Sequence, residues 1–204
     1  MPKLFVIGLT GPTGAGKSEV ARVWERCGCE IIDADKLSRQ AVQPNTACFT
    51  ALVERFSRAI LLPDGNLNRK MLASLAFSTP ENTRALNAIV HPAVIQMVNE
   101  RLQQALERGQ TTVVIDAPLL FESGLGERCD VTVAVLASVE QRQMRICKRD
   151  RLTCEEAMKR IQVQPSNEYY QDRATKILNN DEDAETLAQK AQSLLTELEA
   201  PTNA

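Results

Sequence analysis

The sequence predicts an α/β fold of three layers, in which helices cover both faces of a mostly parallel five-stranded sheet. Two observations predict it: short apolar, β-branched runs alternate with helical patterns along the 204-residue chain, and a glycine-rich loop joins the first run to the first helix. Each run is almost continuously hydrophobic, as expected of strands covered on both faces. The runs lie at residues 4–10, 29–34, 111–117, 131–137 and, more weakly, 175–180.

The loop after the first strand has the sequence GPTGAGKS and fits the phosphate-binding pattern G-x-x-x-x-G-K-[ST]. Its glycines leave main-chain N–H groups open to a phosphate, and the next helix points its positive end at the same place. We expect Lys17 to reach the β- and γ-phosphates of ATP and Ser18 to ligate Mg²⁺. The predicted nucleotide-binding residues of this loop are Gly11, Pro12, Thr13, Gly14, Ala15, Gly16, Lys17, Ser18 and Glu19.

The first helix is predicted to begin at Gly16 or Lys17 and to end near Gly28, which supplies a stop. Residues 36–108 then follow helical patterns almost throughout and interrupt the alternation of strands and helices. We interpret this segment as an inserted helical subdomain for the second substrate, within one domain whose nucleotide-binding core comprises residues 1–35 and 109–204. A further helical block at 138–174, before the last strand, is the predicted lid region, and the chain ends in an amphipathic helix.

Three aspartates follow predicted strands, where open parallel sheets bind their ligands. Asp33 and Asp35 come after the second strand and Asp116 after the third. Arg39 lies four positions beyond Asp35, so the two share one face if a helix begins there. A base beside a phosphate-holding arginine suits phosphoryl transfer, although either early aspartate could instead cap that helix. Asp116 could hold Mg²⁺, or have a structural role.

Two arginines one helical turn apart, Arg145 and Arg149, follow the fourth strand. A mobile arginine from a lid can stabilise the charge that spreads over a phosphoryl group during transfer. Both residues are therefore candidates for the catalytic machinery. The alternative for each is an ordinary solvated surface charge.

The composition argues against several classes of function. A formal net charge of −2 without blocks of like charge gives no basic surface for nucleic acid. No apolar stretch approaches the length of a membrane span, and the short apolar start continues into the glycine loop rather than a cleavage site. Six cysteines without a C-x-x-C pair are interpreted as reduced thiols of a cytoplasmic protein. We expect small-molecule substrates, with no nucleic acid, no membrane and no obligate protein partner.

A guanine-nucleotide switch would need the segments N-K-x-D and D-x-x-G, and neither occurs in the sequence. This leaves kinases and other ATPases. The helical insert and the arginines favour a small-molecule kinase. Two alternatives stay open: a kinase of another small alcohol, such as a nucleoside or a sugar acid, and a nucleotide-operated binding module whose insert engages a protein.

The chain resembles the dephospho-coenzyme A kinases along nearly its full length. The segments that carry the resemblance are GLTGPTGAGKS, IIDADKLSRQAV, DGNLNRKMLASLAF, LNAIVHP, DAPLLFESGLGERCD and RDRLTCEEAMKRIQVQ. The resemblance implies a P-loop kinase core with a helical substrate domain and a lid. It also implies transfer of the ATP γ-phosphate to the ribose 3′-hydroxyl of dephospho-coenzyme A, the last step of coenzyme A synthesis.

The resemblance also assigns roles to individual residues. Asp35 matches the family's catalytic base, and Arg39, Arg69 and His91 would face the acceptor; alternatively, His91 is a packed or capping residue. Asn180 matches an asparagine near the adenine pocket. The sequence departs from the family where Thr175 replaces an aspartate and the glycine of the last loop is missing, and Pro12 has no N–H to offer a phosphate.

Overall fold

The computed structural model describes residues 4–200, which form nine α-helices, five β-strands and two short 3₁₀ helices at Arg58–Ile60 and Leu125–Arg128. The strands are β1 (Phe5–Thr10), β2 (Glu30–Asp33), β3 (Thr112–Asp116), β4 (Val131–Leu136) and β5 (Lys176–Asn179). The helices are α1 (Lys17–Arg26), α2 (Ala34–Ala41), α3 (Ala47–Phe56), α4 (Arg69–Ala76), α5 (Pro80–Glu107), α6 (Val139–Asp150), α7 (Cys154–Gln162), α8 (Asn167–Gln171) and α9 (Ala184–Glu199).

The five strands form one sheet in the order β2-β3-β1-β4-β5. Strand β1 pairs in parallel with β3 and β4, and β4 pairs in parallel with β5. This confirms the predicted α/β class and the five-stranded parallel sheet. Because parallel strands end at the same edge, the loop that follows β1 and the last residue of β3 lie at one edge of the sheet.

The chain divides into two compact units, one formed by the residues up to Ile32 and from Ala105 onward, the other by Asp33–Gln104. In the first unit, β1, β4 and β5 pack against α1 and α9 through a buried cluster that includes Leu9, Val133 and Leu187. Trp24 of α1 is fully buried in this cluster, and its indole N–H donates to the carbonyl oxygen of Ala191 at 2.8 Å. The packing of α1 against α9 therefore fixes the helix that follows the glycine loop.

The second unit is helical, as its sequence predicts. Its core includes the fully buried side chains of Leu52, Ile60 and Ala76. Helix α5 runs through Pro92, which removes one main-chain N–H from the helix interior. No helix within residues 4–200 combines the length and the apolar character that crossing a bilayer requires.

Candidate active site

The glycine-rich loop, residues 11–16, leads from β1 directly into α1. Gly11, Gly14 and Gly16 have φ angles of +142°, +81° and +107°, a region that side chains with a Cβ rarely adopt. Gly16 is the N-cap of α1 and has no side chain to accept a hydrogen bond from the first turn. The positive end of the helix is therefore open to an anion.

The three glycines allow the loop to pack closely against the rest of the protein. The sequence had suggested a different reason for them, namely space for a phosphate. A Cβ at Gly11 would collide with the carbonyl oxygen of Val135 in β4, and one at Gly14 would lie 2.9 Å from the carbonyl oxygen of Arg142 in α6. A Cβ at Gly16 would collide with the side chain of Asn180. The space beside these three residues is filled by the protein, so the glycines permit close packing rather than clearing room for the phosphate.

Three successive carbonyl groups of the loop are held from outside by side chains. The carbonyl oxygen of Thr13 accepts from Arg142 Nε at 2.9 Å, that of Gly14 from Arg145 Nη1 at 3.4 Å, and that of Ala15 from Asn180 Nδ2 at 2.7 Å. The C=O and N–H of a trans peptide point in opposite directions. The N–H groups of Gly14 and Gly16 therefore face away from these side chains.

The loop presents a set of open main-chain donors. Within residues 4–200, no protein group accepts a hydrogen bond from the N–H groups of Gly14, Gly16, Lys17 or Ser18, whereas Ala15 N–H donates to the carbonyl oxygen of Pro12 at 3.2 Å. The first N–H groups of any α-helix have no partner in their own helix, and the partly buried N–H groups of Gly14 and Gly16 add to them here. Four such donors on one turn, at a helix N-terminus, are the arrangement that binds a phosphate.

Lys17 and Asp116 form an ion pair at this edge of the sheet. Asp116 is the last residue of β3, and Lys17 is the first residue of α1. The lysine and aspartate side chains are 15% and 13% exposed. The prediction from the sequence that the end of β3 meets the glycine loop is thus confirmed in position, while Asp116 is paired with the lysine in this structure.

Ser18 and Asp116 fit a Mg²⁺ ion chemically, because a hydroxyl and a carboxylate are the oxygen ligands that this ion takes. Ser18 is the second residue of α1 and is exposed beside the open N–H groups. Among residues 4–200, no group of three or more His, Cys, Asp and Glu side chains is arranged to hold a metal ion. Any Mg²⁺ here would therefore need further ligands from phosphates and water.

The two candidate lid arginines have different surroundings. The Arg145 guanidinium donates to the carbonyl oxygens of Gly14, Asn180 and Glu182, so it joins the glycine loop to the segment after β5. Arg149 forms two hydrogen bonds to Asp150, at 2.8 and 2.9 Å, and this pairing raises the pKa of Arg149. These two bonds leave other N–H donors of the Arg149 guanidinium available, and its catalytic role stays a prediction.

Asp33, the last residue of β2, and Asp35 lie in the second unit. Asp33 caps α2: its Oδ1 accepts from Lys36 N–H at 2.9 Å, as the capping alternative predicted. Asp35 is exposed in the first turn of α2, and its carboxylate forms no hydrogen bond or ion pair within residues 33–104. Arg39 shares this helix with Asp35, as predicted, without an ion pair between them.

Two predicted acceptor-binding arginines meet in the second unit. The Arg69 guanidinium donates to the carbonyl oxygen of Arg39 at 3.3 Å, which brings the start of α4 to the end of α2. Both side chains are exposed. His91 is half-buried in the middle of α5. This agrees with a packed histidine and leaves its contact with an acceptor as a prediction.

Sequence reasoning missed two residues at this site, Arg142 and Gln164. Arg142 is only 2% exposed, and Gln164 accepts a hydrogen bond from Thr13 N–H at 3.0 Å. One signal could have indicated Arg142: it lies four residues before Ile146, on the face of α6 that is buried. Gln164 lies in the connection between α7 and α8. It is the last residue of the segment RDRLTCEEAMKRIQVQ, which carries the family resemblance, but nothing in that segment marks it as a contact of the glycine loop.

The matching family model and the curated relatives agree on one family. The family model described as dephospho-CoA kinase matches residues 5–186. A dephospho-CoA kinase from Bacillus licheniformis is 37% identical over 176 residues, which cover 86% of this chain and 88% of the relative.

Two solved structures share the fold. The crystal structure of TT1252 from Thermus thermophilus is 34% identical, with a TM-score of 0.80 over 96% of this chain and 98% of that one. A dephospho-CoA kinase from Campylobacter jejuni is 23% identical, with a TM-score of 0.69 over 95% of this chain and 96% of that one. At that identity the second likeness supports the fold alone.

Proposed function

Because the chain belongs to the dephospho-CoA kinase family, we propose that it transfers the γ-phosphate of ATP to the ribose 3′-hydroxyl of dephospho-CoA and so forms coenzyme A. The observation that carries this proposal is the set of four open N–H groups at Gly14, Gly16, Lys17 and Ser18. They form a preformed anion site beside a lysine, and such a site binds the phosphates of a nucleoside triphosphate. This reaction is the final step of coenzyme A biosynthesis.

The glycine loop and Lys17 carry the electrostatic part of the proposed reaction. Charge on the transferred phosphoryl group spreads over its equatorial oxygens, so fixed donors and a cation lower the barrier. The Lys17 side chain contacts Asp116, and it begins at the same turn of α1 as the open N–H groups. It can therefore exchange its contact with the aspartate for contacts with bound phosphates.

Ser18 and Asp116 are the residues proposed to hold Mg²⁺, directly or through water. The ion would neutralise charge on the phosphates. The pairing of Asp116 with Lys17 supports this assignment indirectly, because it holds the carboxylate beside the open N–H groups.

Asp35 is the proposed base that takes the proton from the acceptor hydroxyl. Its exposed carboxylate has no partner within its own unit, so it is available to accept a proton. Asp33, by contrast, already accepts the N–H of Lys36, which supports a capping role for it. A catalytic role for Asp33 is tested below with matched asparagine variants at both positions.

Arg39 and Arg69 are proposed to bind the acceptor, together with other residues of the helical insert at 36–108. Both arginine side chains are exposed on one unit, where the Arg69 guanidinium contacts the main chain of Arg39. They suit the phosphate groups of dephospho-CoA, since arginine binds phosphate through paired N–H donors. His91 would contribute from α5. Arg145 and Arg149 belong to the proposed lid region, and Asn180 to the side of the nucleotide site formed by the segment after β5.

The protein is also proposed to work in the cytoplasm. All six cysteines lie within residues 4–200 and are free thiols. Reduced thiols are typical of that compartment.

The test is an assay with ATP, Mg²⁺ and dephospho-CoA, in which mass spectrometry follows formation of coenzyme A. A nucleoside and a sugar acid serve as competing acceptors. A product from one of them alone would favour the kinase of another alcohol, and ATP hydrolysis that no acceptor stimulates would favour the binding module. Absence of coenzyme A with folded protein would refute the proposal.

Two matched variants assign the base. Asp35→Asn should lower kcat at least about 100-fold while the affinity for ATP changes little, because general-base catalysis contributes about 10²–10⁴ in rate. Asp33→Asn should keep most of the activity, because asparagine caps a helix about as well as aspartate. Unchanged kcat in Asp35→Asn would remove this residue from the mechanism, and a large loss in Asp33→Asn would show that the Asp33 carboxylate is needed.

A further inference from the structure

Arg142 and Gln164 hold both main-chain polar groups of one residue of the glycine loop, Thr13. Arg142 Nε donates to the carbonyl oxygen of Thr13 at 2.9 Å, and Thr13 N–H donates to Gln164 Oε1 at 3.0 Å. Arg142 Nη2 donates to the same Gln164 oxygen at 3.0 Å and closes the ring. The residue beside Pro12, which has no N–H, is therefore fixed from both sides.

The charge of Arg142 is buried without a carboxylate beside it. Its side chain forms no ion pair within residues 4–200, and burial lowers the pKa of its guanidinium. The ionisable neighbour is Tyr170, whose pKa burial raises to about 12, so its hydroxyl is neutral near pH 7. Burying an unpaired charge is costly. Such a cost is offset if an anion binds nearby, and the glycine loop in contact with Arg142 is an anion site.

Gln164 connects the loop to a second element. It lies two residues after the end of α7 and three before the start of α8, while Arg142 lies in α6. The next two carbonyls of the loop, at Gly14 and Ala15, are held by other side chains. The connection between α7 and α8 is thus bound to the glycine loop through the N–H of Thr13.

We propose that Arg142 and Gln164 are positioning residues for nucleotide binding, which hold the backbone of Thr13 in its phosphate-binding form while the Arg142 charge attracts the bound anion. This inference rests on the nucleotide site proposed above. The same contacts couple nucleotide binding to the stability of the connection between α7 and α8. If the loop is held by Gln164, then a nucleotide that stabilises the loop must, by reciprocity, stabilise the segment 163–166.

The test compares three variants by calorimetric binding of ADP in the presence of Mg²⁺ and by thermal unfolding. Gln164→Met keeps the side-chain length and removes the acceptor; we expect the Kd for ADP to rise about tenfold, which corresponds to about 1.4 kcal/mol. Gln162→Met, two residues earlier and exposed, is the matched control and should change Kd less than about twofold.

Gln164→Glu separates positioning from a purely structural role. It keeps an oxygen acceptor for Thr13 N–H and places a carboxylate against Arg142, so the melting temperature should equal or exceed that of the wild type. The same carboxylate cancels the positive charge near the phosphates, so the Kd for ADP should still rise about threefold or more. Weaker binding in a protein of undiminished stability is not expected if the contact only supports the fold.

Hydrogen exchange of the wild-type protein tests the coupling without any variant. It therefore tests the proposal even if Gln164→Met fails to fold. ADP should slow amide exchange at Val163, Gln164 and Ser166. Unchanged exchange there would overturn the proposal, as would a folded Gln164→Met variant that binds ADP as tightly as the wild type. If the wild type bound no ADP, the nucleotide site itself would fall along with this inference.

Discussion

Asn180 offers a direct test of how the glycine loop is held. Its side-chain amide donates to the carbonyl oxygen of Ala15 at 2.7 Å, and its Oδ1 accepts from Arg145 Nη2 at 3.3 Å. Asn180 is 4% exposed and Ala15 is fully buried. Asn180→Ala removes both bonds and leaves the Ala15 carbonyl without this donor. A buried group left unpaired costs about 1–3 kcal/mol, so we expect the free energy of unfolding to fall by about 2 kcal/mol.

For a chain of this length, about 2 kcal/mol corresponds to a decrease of about 6 °C in melting temperature. Thermal unfolding measures it, and Asn179→Ala is the matched control, because Asn179 is the neighbouring residue of the same type and is exposed. The control should change the melting temperature by less than about 1 °C. If the two variants unfolded at the same temperature, the Asn180 side chain would not be holding the loop.

Three further predictions concern catalysis and thiol reactivity. Lys17→Met should lower kcat at least about 100-fold in steady-state assays, because it removes a cation from the transferred phosphoryl group and breaks the ion pair with Asp116; activity near that of the wild type would exclude this role. Arg149→Met should lower kcat about tenfold with little change in the KM for ATP if the arginine acts only in the transition state, and a change confined to KM would contradict this. At pH 8, iodoacetamide should alkylate exposed Cys27 while Cys129 stays protonated, because burial raises the pKa of Cys129 to about 12. Mass spectrometry of labelled peptides measures the order, and faster labelling of Cys129 would contradict the prediction.

Much of the fold and part of the site could be predicted from the sequence. The β-branched runs predicted the five strands, because buried parallel strands are hydrophobic on both faces. Once the strands were known, the position of Asp116 at the edge that carries the glycine loop followed from the rule that parallel strands end at one edge. Its ion pair with Lys17 was not predicted. The helix at Asp35 and Arg39 was also predictable, since an aspartate in a capping position preceded it.

The contacts that hold the glycine loop could not be predicted. Arg142 and Thr13 are 129 residues apart in the chain, and Asn180 and Ala15 are 165 apart. No local periodicity encodes such pairs, because they depend on how α6 and the end of β5 pack against the loop. For the same reason, Gly16 was explained by space for a ligand, whereas the side chain of Asn180 occupies that space.

The anchoring of three successive carbonyls, at Thr13, Gly14 and Ala15, has a consequence for the speed of nucleotide capture. Fixing the backbone of one residue costs about 1–2 kcal/mol in conformational entropy. For these residues that cost is met when the chain folds, so it does not oppose the arrival of the nucleotide. The receptor is preorganised, and its association rate should be governed by diffusion and charge rather than by a slow ordering of the loop.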